Sequence, residues 1–494
     1  MSEGSIQRLV VVSNRLPIVL NRDGDGWRVE PGSGGLVTAL APVLKDRGGL
    51  WIGWPGTSAQ EGLDAALKSH EDSIGYSLVP ISLTAEEIEQ HYRGFSNEVI
   101  WPLFHDLQSR CNFDPSYWTT YQQVNRRFAE VIIENTGPGD FVWIHDYHLL
   151  LVARELRALG FEGTIGYFLH IPFPPLDIFI KLPWRAEILR ALLDYDLVGF
   201  QTMRDRRNFV HSLRTLVSDT GSCGRGQVCD LEVPPKQVRI GAFPISIDFD
   251  EFEGQAKSAE VSERAWHIHE KFPNQQLILG VDRMDYTKGI PWRLKAYRDA
   301  LKRYPDLHHR VTFVQVVVPS RRGIPEYEQL KVEIESLVSE INGEFTTQGW
   351  VPIHYIYRSL EKAELIAYYR TAEIALVTPL KDGMNLVAKE YCAASLEESG
   401  VVILSEFAGA VGELQHEAVL VNPYDVRGVA DAIHRSVHMD PSERHARMHR
   451  LRKLVKRHNI FWWVDSFLEA SISRNLDSFP VLQEFTPNID ADTA

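Results

Sequence analysis

Residues 280–289 read GVDRMDYTKG and follow the apolar run Leu277–Leu279, so this stretch joins a buried strand to a polar loop that ends in glycine. The loop carries Arg283 and Lys288, five residues apart. In α/β proteins, ligands bind beyond the carboxyl ends of the strands, and two fixed cations at such an end suit a diphosphate. The same pattern also fits a surface loop with two solvated charges, so the remaining segments decide between the two interpretations.

Short apolar runs recur along the chain and alternate with helix-like segments. Their residues are apolar in succession, which is typical of strands covered on both faces. The runs are Leu9–Val12, Phe141–Ile144, Ile165–Leu169, Leu197–Phe200, Val238–Phe243, Leu277–Val281, Val311–Val318, Ile374–Val377, Val401–Leu404 and Ala418–Val421. Strands that alternate with helices predict parallel sheets with right-handed crossovers. Two groups of these strands predict two doubly wound domains with a seam near residues 244–252.

Composition limits the classes of partner. At roughly 100–200 residues per domain, the 494 residues fit two to four domains. The formal net charge of -14 argues against a general nucleic-acid or anionic-membrane binder, because both need a basic surface. The start of the chain lacks a secretory pattern, and no apolar run approaches the roughly 18 residues of a membrane span. We therefore expect a cytoplasmic protein with small-molecule substrates. A homo-oligomer is a separate expectation, which composition does not decide.

Cysteine content gives a further expectation. Four cysteines are too few for a disulfide framework in a chain of this length. Cys223 and Cys229 flank a glycine-rich loop and could pair. Free thiols are typical of a cytoplasmic protein, so we expect both to be free.

Three segments of the first half place polar side chains directly after apolar strands. Arg15 follows the first strand, and the glycine-rich turn at 31–36 offers backbone amides to an anion, although a plain turn explains it as well. Asp146 lies in WIHDYHLL and suits sugar hydroxyls; the two histidines beside it leave a metal site open, but their spacing matches no zinc pattern. His170 lies in FLHIPFP, where prolines fix the turn, and a structural core histidine is the alternative.

The second half has a comparable segment, TPLKDGMNLVAKEY, at 378–391. Gly383 permits a tight turn after the strand, and a helix is predicted to begin near Met384. Its unpaired amides can hold a phosphate or a sugar oxygen. Asp382 can bind hydroxyls, and Glu390 lies about two turns inside the helix on the same side, where it can reach a ribose. An ordinary helix cap with a solvated glutamate is the alternative.

Taken together, these segments resemble the trehalose-6-phosphate synthases, a family that moves glucose from a sugar nucleotide to glucose 6-phosphate. The matching motifs run in the family's order from about Leu9 to Asp425 and are SNRLP, GSGGL, FSNEVIWPLFH, VWIHDYHLLLV, FLHIPFP, LVGFQT, VDRMDYTKG, VPSR, DGMNLVAKEY and LSEFAGA. The resemblance implies an α/β protein of glycosyltransferase B architecture, with two doubly wound, Rossmann-like domains that face a deep cleft. It also implies retention of the donor's α configuration, and neither a metal nor another cofactor.

The resemblance further assigns roles to individual residues. The acceptor, glucose 6-phosphate, is assigned to Arg15, Tyr92, Trp101, Asp146 and Arg321. The donor, a nucleotide-glucose, is assigned to Gly34, Gly35, His170, Arg283, Lys288, Leu360, Asp382, Gly383, Met384, Asn385, Leu386, Val387 and Glu390. The catalytic candidates are His170, Asp146, Arg283 and Lys288. None of the family's functional residues is replaced, and the base of the donor (UDP, GDP or ADP) stays open.

The resemblance and the strand pattern also predict the domain bounds. We expect an acceptor-binding domain at 1–248, a donor-binding domain at 249–454, and a disordered tail at 484–494. A C-terminal helix at about 455–480 is expected to pack back onto the first domain.

Three rival functions remain. A related synthase could use a different acceptor, as in glucosylglycerol-phosphate synthesis or pseudo-sugar coupling, but the acceptor residues are intact. A catalytically inactive regulatory subunit is disfavoured because the cations and carboxylates of the donor segments are intact. A nicotinamide oxidoreductase lacks support, because no GxGxxG follows the first strand and fold alone does not fix function.

Overall fold

The computed structural model describes residues 8–23, 26–32, 35–58, 62–217, 220–221, 223–224, 226–234, 236–321, 324–473, 476, 479 and 482–487. The chain divides into two compact units. The first runs to Ile245 and also includes Ile460–Glu484, and the second is Ser246–Asn459. Among the described helices, none combines the length and the apolar character needed to cross a membrane.

The first unit is built on one large sheet. Its strands are β1 (Arg8–Arg15), β2 (Ile18–Asp23), β3 (Gly26–Pro31), β4 (Leu50–Trp54), β5 (Ser77–Pro80), β6 (Asp140–His145), β7 (Thr164–Leu169), β8 (Leu197–Phe200), β9 (Val228–Val233) and β10 (Lys236–Ala242). Eight of them form the sheet in the order β5-β4-β1-β6-β7-β8-β10-β9, in which β9 runs antiparallel to β10 and the other neighbours pair in parallel. Strands β2 and β3 form a separate hairpin.

Helices cover this sheet. They are α1 (Gly35–Arg47), α2 (Leu63–Ile74), α3 (Ala85–Glu87), α4 (Trp101–Phe104), α5 (Pro115–Asn135), α6 (Val152–Ala158), α7 (Leu176–Phe179), α8 (Arg185–Leu192) and α9 (Met203–Leu216). A π-helical segment, Ile88–Ile100, joins α3 to α4. All six residues of β6 are buried, as a strand with helices on both faces requires. The chain order reverses between the neighbours β1 and β6, which makes their carboxyl ends a topological switch point.

The second unit has a six-stranded parallel sheet. Its strands are β11 (Gln276–Arg283), β12 (Val311–Val318), β13 (Ile353–Tyr357), β14 (Ile374–Val377), β15 (Val401–Ser405) and β16 (Val419–Val421). They follow the order β13-β12-β11-β14-β15-β16, the doubly wound arrangement, with its switch point between β11 and β14. Its helices are α10 (Phe249–Ala256), α11 (Ala259–Lys271), α12 (Ile290–Arg303), α13 (Pro325–Phe345), α14 (Lys362–Thr371), α15 (Leu386–Ala394), α16 (Val411–Leu414), α17 (Val426–Val437) and α18 (Pro441–Arg457).

The last helix, α19 (Ile460–Ile472), packs on the sheet of the first unit. Trp463 stacks on Trp143 with ring centroids 4.9 Å apart and donates its indole N–H to the Phe243 carbonyl at 3.1 Å. Phe467 fits where Gly166 and Gly199 lack side chains, since a Cβ at either glycine would lie within 2.8 Å of its ring. Glycine at these two strand positions is therefore a packing requirement of the helix.

The predicted C-terminal helix at 455–480 differs from the observed one. Helix α18 ends at Arg457, because His458 leaves the helical conformation (φ -102°, ψ 58°), and α19 then ends at Ile472. Beyond residue 487, the predicted disordered tail lies outside the described residues.

The expectation of free thiols at Cys223 and Cys229 is wrong. The two residues form a disulfide, with their Cα atoms 5.6 Å apart. The Arg206 guanidinium donates to the Gly224 carbonyl at 2.8 Å and so holds one arm of the glycine-rich loop beside the start of β9. This return of the chain brings together two cysteines that are only six residues apart in sequence.

A buried ion pair lies beneath the switch point of the second unit. The Arg293 guanidinium contacts the Asp282 carboxylate and donates to Gln315 at 3.1 Å and to Thr378 at 2.9 Å. Gly280 makes room for it, because a Cβ there would lie 2.9 Å from an Arg293 nitrogen. Arg293 thus connects β11, β12 and the end of β14 from one position on α12.

We predict that Arg293→Met destabilises the second unit by about 3–5 kcal/mol, because it leaves the buried Asp282 carboxylate without its cation. The control is Lys295→Met on the same helix, where the Lys295–Glu333 pair is half-exposed at 3.3 Å and contributes about 0–1 kcal/mol. Chemical denaturation followed by circular dichroism measures both variants. Equal shifts of the unfolding midpoint would contradict the assignment.

Candidate active site

Three neighbouring strands of the first unit end beside its switch point, and each delivers a predicted site residue. Arg15 is the last residue of β1, Asp146 follows β6, and His170 follows β7. The three strands are parallel neighbours, so their carboxyl ends lie at one edge of the sheet. The structure therefore brings these three predicted residues together.

Arg15 is an exposed residue whose guanidinium is held by its surroundings. It lies over the Trp54 ring, 4.7 Å from the centroid. Gly56, with φ +94°, makes room for it, since a Cβ there would lie 2.2 Å from an Arg15 nitrogen. Within the described part of the chain, no ion pair to this guanidinium is found. A positive group fixed by packing rather than by a carboxylate is suited to an incoming anion.

Aromatic side chains continue from Arg15 along this edge. Tyr92, on the π-helical segment, packs 6.1 Å from Trp54 and stacks on His148 at 5.8 Å. Asn97 donates to the Tyr92 carbonyl at 2.6 Å. π-Helical turns are often found at functional sites, and this one turns a half-buried Tyr92 toward the same group as Arg15.

Trp101 lies next to this aromatic group. It is buried, with its ring 5.7 Å from that of Tyr147. The Tyr147 hydroxyl donates to Asn97 at 3.2 Å, which links this ring to the π-helical segment. Trp54 was not among the predicted site residues. Its position at the end of the apolar run LWIGW was the one feature of the sequence that could have indicated it.

Asp146 has a strained backbone. Its φ of 74° is unusual for a residue with a side chain and costs about 1–3 kcal/mol. Its N–H donates to the Phe168 carbonyl at 2.8 Å, and its carboxylate accepts from the His170 N–H at 3.3 Å. These bonds fix the carboxylate beside the start of the His170 segment.

His170 and His145 form a buried pair. Nδ1 of His145 lies 3.0 Å from Nε2 of His170. Burial lowers the pKa of His170 to about 3, and burial followed by the proximity of His170 lowers the pKa of His145 well below its usual value. Both rings are therefore neutral at physiological pH.

In the second unit, Arg283 and Lys288 lie on the loop that leaves β11. Arg283 is exposed at the strand end, and Lys288 ends a 3₁₀ turn before Gly289. The Asp285 carboxylate accepts from the N–H and the hydroxyl of Thr287, at 3.0 and 2.9 Å. The Thr287 carbonyl in turn accepts from the N–H of Leu380 at 2.8 Å. The loops after β11 and β14 are thus joined at the switch point.

Lys288 forms an ion pair with Asp382, the predicted ligand of sugar hydroxyls. The same carboxylate accepts from the Met384 N–H at 3.2 Å and from the Asn385 side chain at 3.3 Å. Asn385 itself, at φ 62°, caps α15 by accepting from the Ala388 N–H at 3.4 Å. The structure therefore gathers the predicted cation, carboxylate and helix start at one place.

The loop that holds Gly383 is fitted against the loop after β15. A Cβ at Gly409 would lie 1.8 Å from the Gly383 carbonyl oxygen, so the two backbones approach as closely as glycine permits. The Asp382 N–H donates to the Phe407 carbonyl at 3.2 Å. These contacts hold the turn in place before α15 begins.

Glu390 lies inside α15, where its carboxylate accepts from the Tyr369 hydroxyl at 2.8 Å. Burial raises its pKa above the usual value, and the bond from Tyr369 opposes that shift. Leu386 and Val387 form the first turn of α15, and Leu360 lies between β13 and α14. Of the two glycines assigned to the donor in the first unit, Gly35 begins α1 and Gly34 lies outside the described residues.

Arg321 is held in a buried ion pair with Asp285 at 2.9 Å, and its guanidinium also contacts the Tyr327 hydroxyl. Burial alone would raise the pKa of Asp285, but the charges of Arg321, Arg283 and Lys288 outweigh it and lower the pKa. The predicted contact of Arg321 with an acceptor phosphate stays a prediction.

Among the described residues, metal-type side chains come together in one group, Asp306, His434 and His438. It lies on the surface of the second unit, with both imidazoles within 3.2 Å of the Asp306 carboxylate. The histidines beside Asp146 are arranged differently, since the His145 ring contacts His170 and the His148 ring stacks on Tyr92.

Comparisons with known proteins identify the family of this chain. The model of glycosyltransferase family 20 matches residues 7–472. A trehalose-6-phosphate synthase of Mycobacterium sp. (strain KMS) is 43% identical over 478 residues, covering 96% of this chain and 96% of that protein.

Two solved structures are similar over both units. An α,α-trehalose-phosphate synthase (UDP-forming) from Burkholderia xenovorans, in complex with glucose-6-phosphate, has a TM-score of 0.84 at 33% identity and covers 94% of this chain and 99% of its own. A structure from E. coli bound with UDP-2-fluoro glucose has a TM-score of 0.84 at 34% identity and covers 95% and 100%.

These similarities confirm the family resemblance and the predicted fold class, an α/β protein of the glycosyltransferase B type with two Rossmann-like sheets. The family match spans both sheets and every predicted site residue. The chain therefore belongs to glycosyltransferase family 20, together with the trehalose-6-phosphate synthases, and is a glycosyltransferase.

Proposed function

We propose that this enzyme transfers glucose from a nucleotide-glucose, UDP- or GDP-glucose, to glucose 6-phosphate and so forms α,α-trehalose 6-phosphate. The observation that carries the proposal is the Lys288–Asp382 ion pair, together with the exposed Arg283 at the start of the loop that carries Lys288. A nucleotide-glucose offers a diphosphate to the cations and hydroxyls to the carboxylate. The similar structures with glucose-6-phosphate and with UDP-2-fluoro glucose support both substrate classes.

The bound donor is proposed to separate this ion pair and to bind both of its members. Its diphosphate replaces Asp382 as the counter-charge of Lys288, and Arg283 adds a second cation. Asp382 then accepts hydrogen bonds from the glucose hydroxyls, while the start of α15 supplies backbone N–H groups. Glu390 accepts from the ribose hydroxyls through its remaining lone pairs.

The acceptor is proposed to bind in the first unit. The exposed Arg15 receives the phosphate, and Tyr92 and Trp101 line the path of the sugar. The Asp146 carboxylate accepts from an acceptor hydroxyl close to the reacting oxygen. The homo-oligomeric state and the cytoplasmic location stay predictions.

Retention is proposed to arise from same-face attack. As the glucosyl–phosphate bond breaks, negative charge grows on the leaving diphosphate, where Lys288 and Arg283 stabilise it. The departing phosphate oxygen accepts the proton of the attacking hydroxyl. A double displacement would need a carboxylate nucleophile, and the His170 segment, FLHIPFP, contains no carboxylate. A covalent glucosyl-enzyme, detected by intact mass after incubation with donor alone, would contradict the proposal.

The function is tested by nucleotide release with glucose 6-phosphate and each of UDP-, GDP- and ADP-glucose, with and without EDTA. We expect turnover that requires glucose 6-phosphate and survives EDTA. Lys288→Ala serves as the site control and should lower kcat by about 10²–10³-fold, since one such donor contributes roughly 3–4 kcal/mol. Lys302→Ala, at the surface of α12, should match the wild type. Turnover with a different acceptor but not with glucose 6-phosphate would indicate one of the related synthases. The absence of turnover with every donor would indicate a regulatory subunit.

We predict that Gly56→Ala raises the KM for glucose 6-phosphate by about 10- to 100-fold and leaves the donor KM unchanged. The new Cβ displaces the Arg15 guanidinium, and a hydrogen bond to a charged group contributes about 1.5–3 kcal/mol. The control is Gly160→Ala, with φ +86° and no described atom within 4 Å of the new Cβ. This substitution also places a side chain at a positive φ, and it should leave both KM values unchanged. An equal rise of the glucose 6-phosphate KM in both variants would contradict the role of Arg15.

We predict that donor affinity falls as the pH drops through the raised pKa of Glu390. Above that pKa the carboxylate is charged and accepts strongly from the ribose; below it the group is protonated and loses acceptor capacity. As the pH falls, the donor KM should therefore begin to rise at a higher pH than it would if Glu390 had the pKa of an ordinary glutamate. Measurements at saturating glucose 6-phosphate keep the titration of its own phosphate out of the profile. Glu390→Gln should make the donor KM independent of pH over this range, and an unchanged profile would exclude Glu390.

A further inference from the structure

The His145–His170 pair is a polar contact inside an otherwise apolar part of the first unit. His145 is the last residue of β6, His170 follows β7, and the two strands are parallel neighbours. The exposed fractions are 0% for His145 and 3% for His170. The His170 ring lies near the rings of Phe168 and Trp463, at centroid distances of 4.6 and 6.2 Å.

Neutral rings in contact have coupled tautomers. Because neither imidazole carries a charge, one proton lies between Nδ1 of His145 and Nε2 of His170. If His145 donates it, His170 must carry its own proton on Nδ1. If His170 donates it, its Nδ1 is an acceptor. The bond to His145 therefore decides what the remaining nitrogen of His170 offers to a ligand.

The two tautomers differ in which outer nitrogen of the pair carries the N–H. Within the described residues, His170 Nδ1 and His145 Nε2 have no hydrogen-bond partner, although both are buried. A buried N–H without a partner is rarer in proteins than an acceptor without one. With Nδ1 of His145 protonated, its Nε2 is a lone pair, and the N–H without a partner is Nδ1–H of His170. The opposite arrangement moves that N–H to Nε2 of His145, the residue that the proposed function leaves without contact to a ligand.

We propose that His145 is a positioning residue: its Nδ1–H donates to Nε2 of His170 and holds that ring as the Nδ1–H tautomer, with this N–H as a donor to an oxygen of the bound sugar. This inference rests on the proposed function, in which His170 contacts the donor glucose. The orphaned Nδ1 of His170 is then satisfied when the substrate binds, and its buried N–H contributes to binding the reacting sugar.

The tautomer is tested without activity. In protein labelled with ¹⁵N-histidine, long-range ¹H–¹⁵N correlation should show the His170 ring as neutral and protonated on Nδ1 from pH 5 to 9, with the signal assigned by its loss in His170→Ala. A ring protonated on Nε2, or one that titrates near pH 6.5, would overturn the proposal. This outcome is independent of whether the enzyme uses glucose 6-phosphate, so failure of the proposed function and failure of this inference remain distinct.

The coupling is tested with a double-mutant cycle in the nucleotide-release assay. His145→Phe keeps a planar ring and removes the donor, and we expect kcat to fall about 10- to 100-fold with little change in the acceptor KM. His145→Asn restores an N–H close to the position of Nδ1 and should recover most of that loss. In the His170→Ala background, His145→Phe should cost less than about threefold, because its effect passes through His170.

A structural role for His145 gives a different pattern. If the role were structural, His145→Phe would lower kcat by the same factor with and without the His170 side chain, and His145→Asn would give no rescue. Either result would overturn the proposal. Thermal unfolding of each variant identifies any loss that comes from misfolding, and the measurement of the tautomer in the wild-type protein does not depend on the variants.

Discussion

The arrangement of the site depends on one constraint, the reversal of chain order in each parallel sheet. In the first unit the reversal lies between β1 and β6, and in the second between β11 and β14. At such a point the loops from two adjacent strands leave toward opposite faces and open a crevice between them. Arg15 and Asp146 follow the strands of the first pair, and Arg283 and Asp382 follow those of the second. At each switch point, one strand end thus supplies a cation and the neighbouring strand's loop supplies a carboxylate.

Close packing fixes these loops where hydrogen bonds alone would leave freedom. Gly56 gives space to the Arg15 guanidinium, Gly280 to the Arg293 guanidinium, and Gly409 to the Gly383 carbonyl. In each case a polar group occupies the space that a side chain at the glycine position would fill. The buried Arg293–Asp282 pair then connects the strand ends from below. A loop supported in this way keeps its cations in position before a ligand arrives, which lowers the reorganisation that binding and transfer require.

The sequence was sufficient to predict the strands that carry the site, and the reason is physical. All ten apolar runs are strands, because a strand buried on both faces is apolar at every position. The hairpin of β2 and β3 and the strands β4, β5, β9 and β13 were not predicted. The exposed hairpin strand β3, for example, has no buried residue to mark it. The position of the polar side chains at the strand ends was predictable for the same reason, because the end of each apolar run marks the end of its strand.

Partners at long sequence separation could not be predicted from residue types. Nothing in VPSR indicates that Arg321 pairs with Asp285, and nothing in WIHDYH indicates that His145 faces His170 rather than a ligand. The π-helical turn that carries Tyr92 and the disulfide between Cys223 and Cys229 depend equally on backbone paths that local patterns do not encode. Register between strands determines these contacts, and register follows from the whole sheet.

Burial of His170 gives the proposed chemistry a further electrostatic advantage. Positive charge grows on the sugar as the glycosidic bond breaks, and a protonated imidazole about 5 Å away would oppose it by roughly 3 kcal/mol at an effective dielectric constant of about 20. That repulsion corresponds to about a hundredfold in rate. With a pKa of about 3, His170 stays neutral, and in the proposed complex it still offers an N–H to the sugar. The permanent cations Arg283 and Lys288 belong instead where negative charge accumulates. In the proposed reaction, neutral donors therefore belong where positive charge develops, and permanent cations belong where negative charge accumulates.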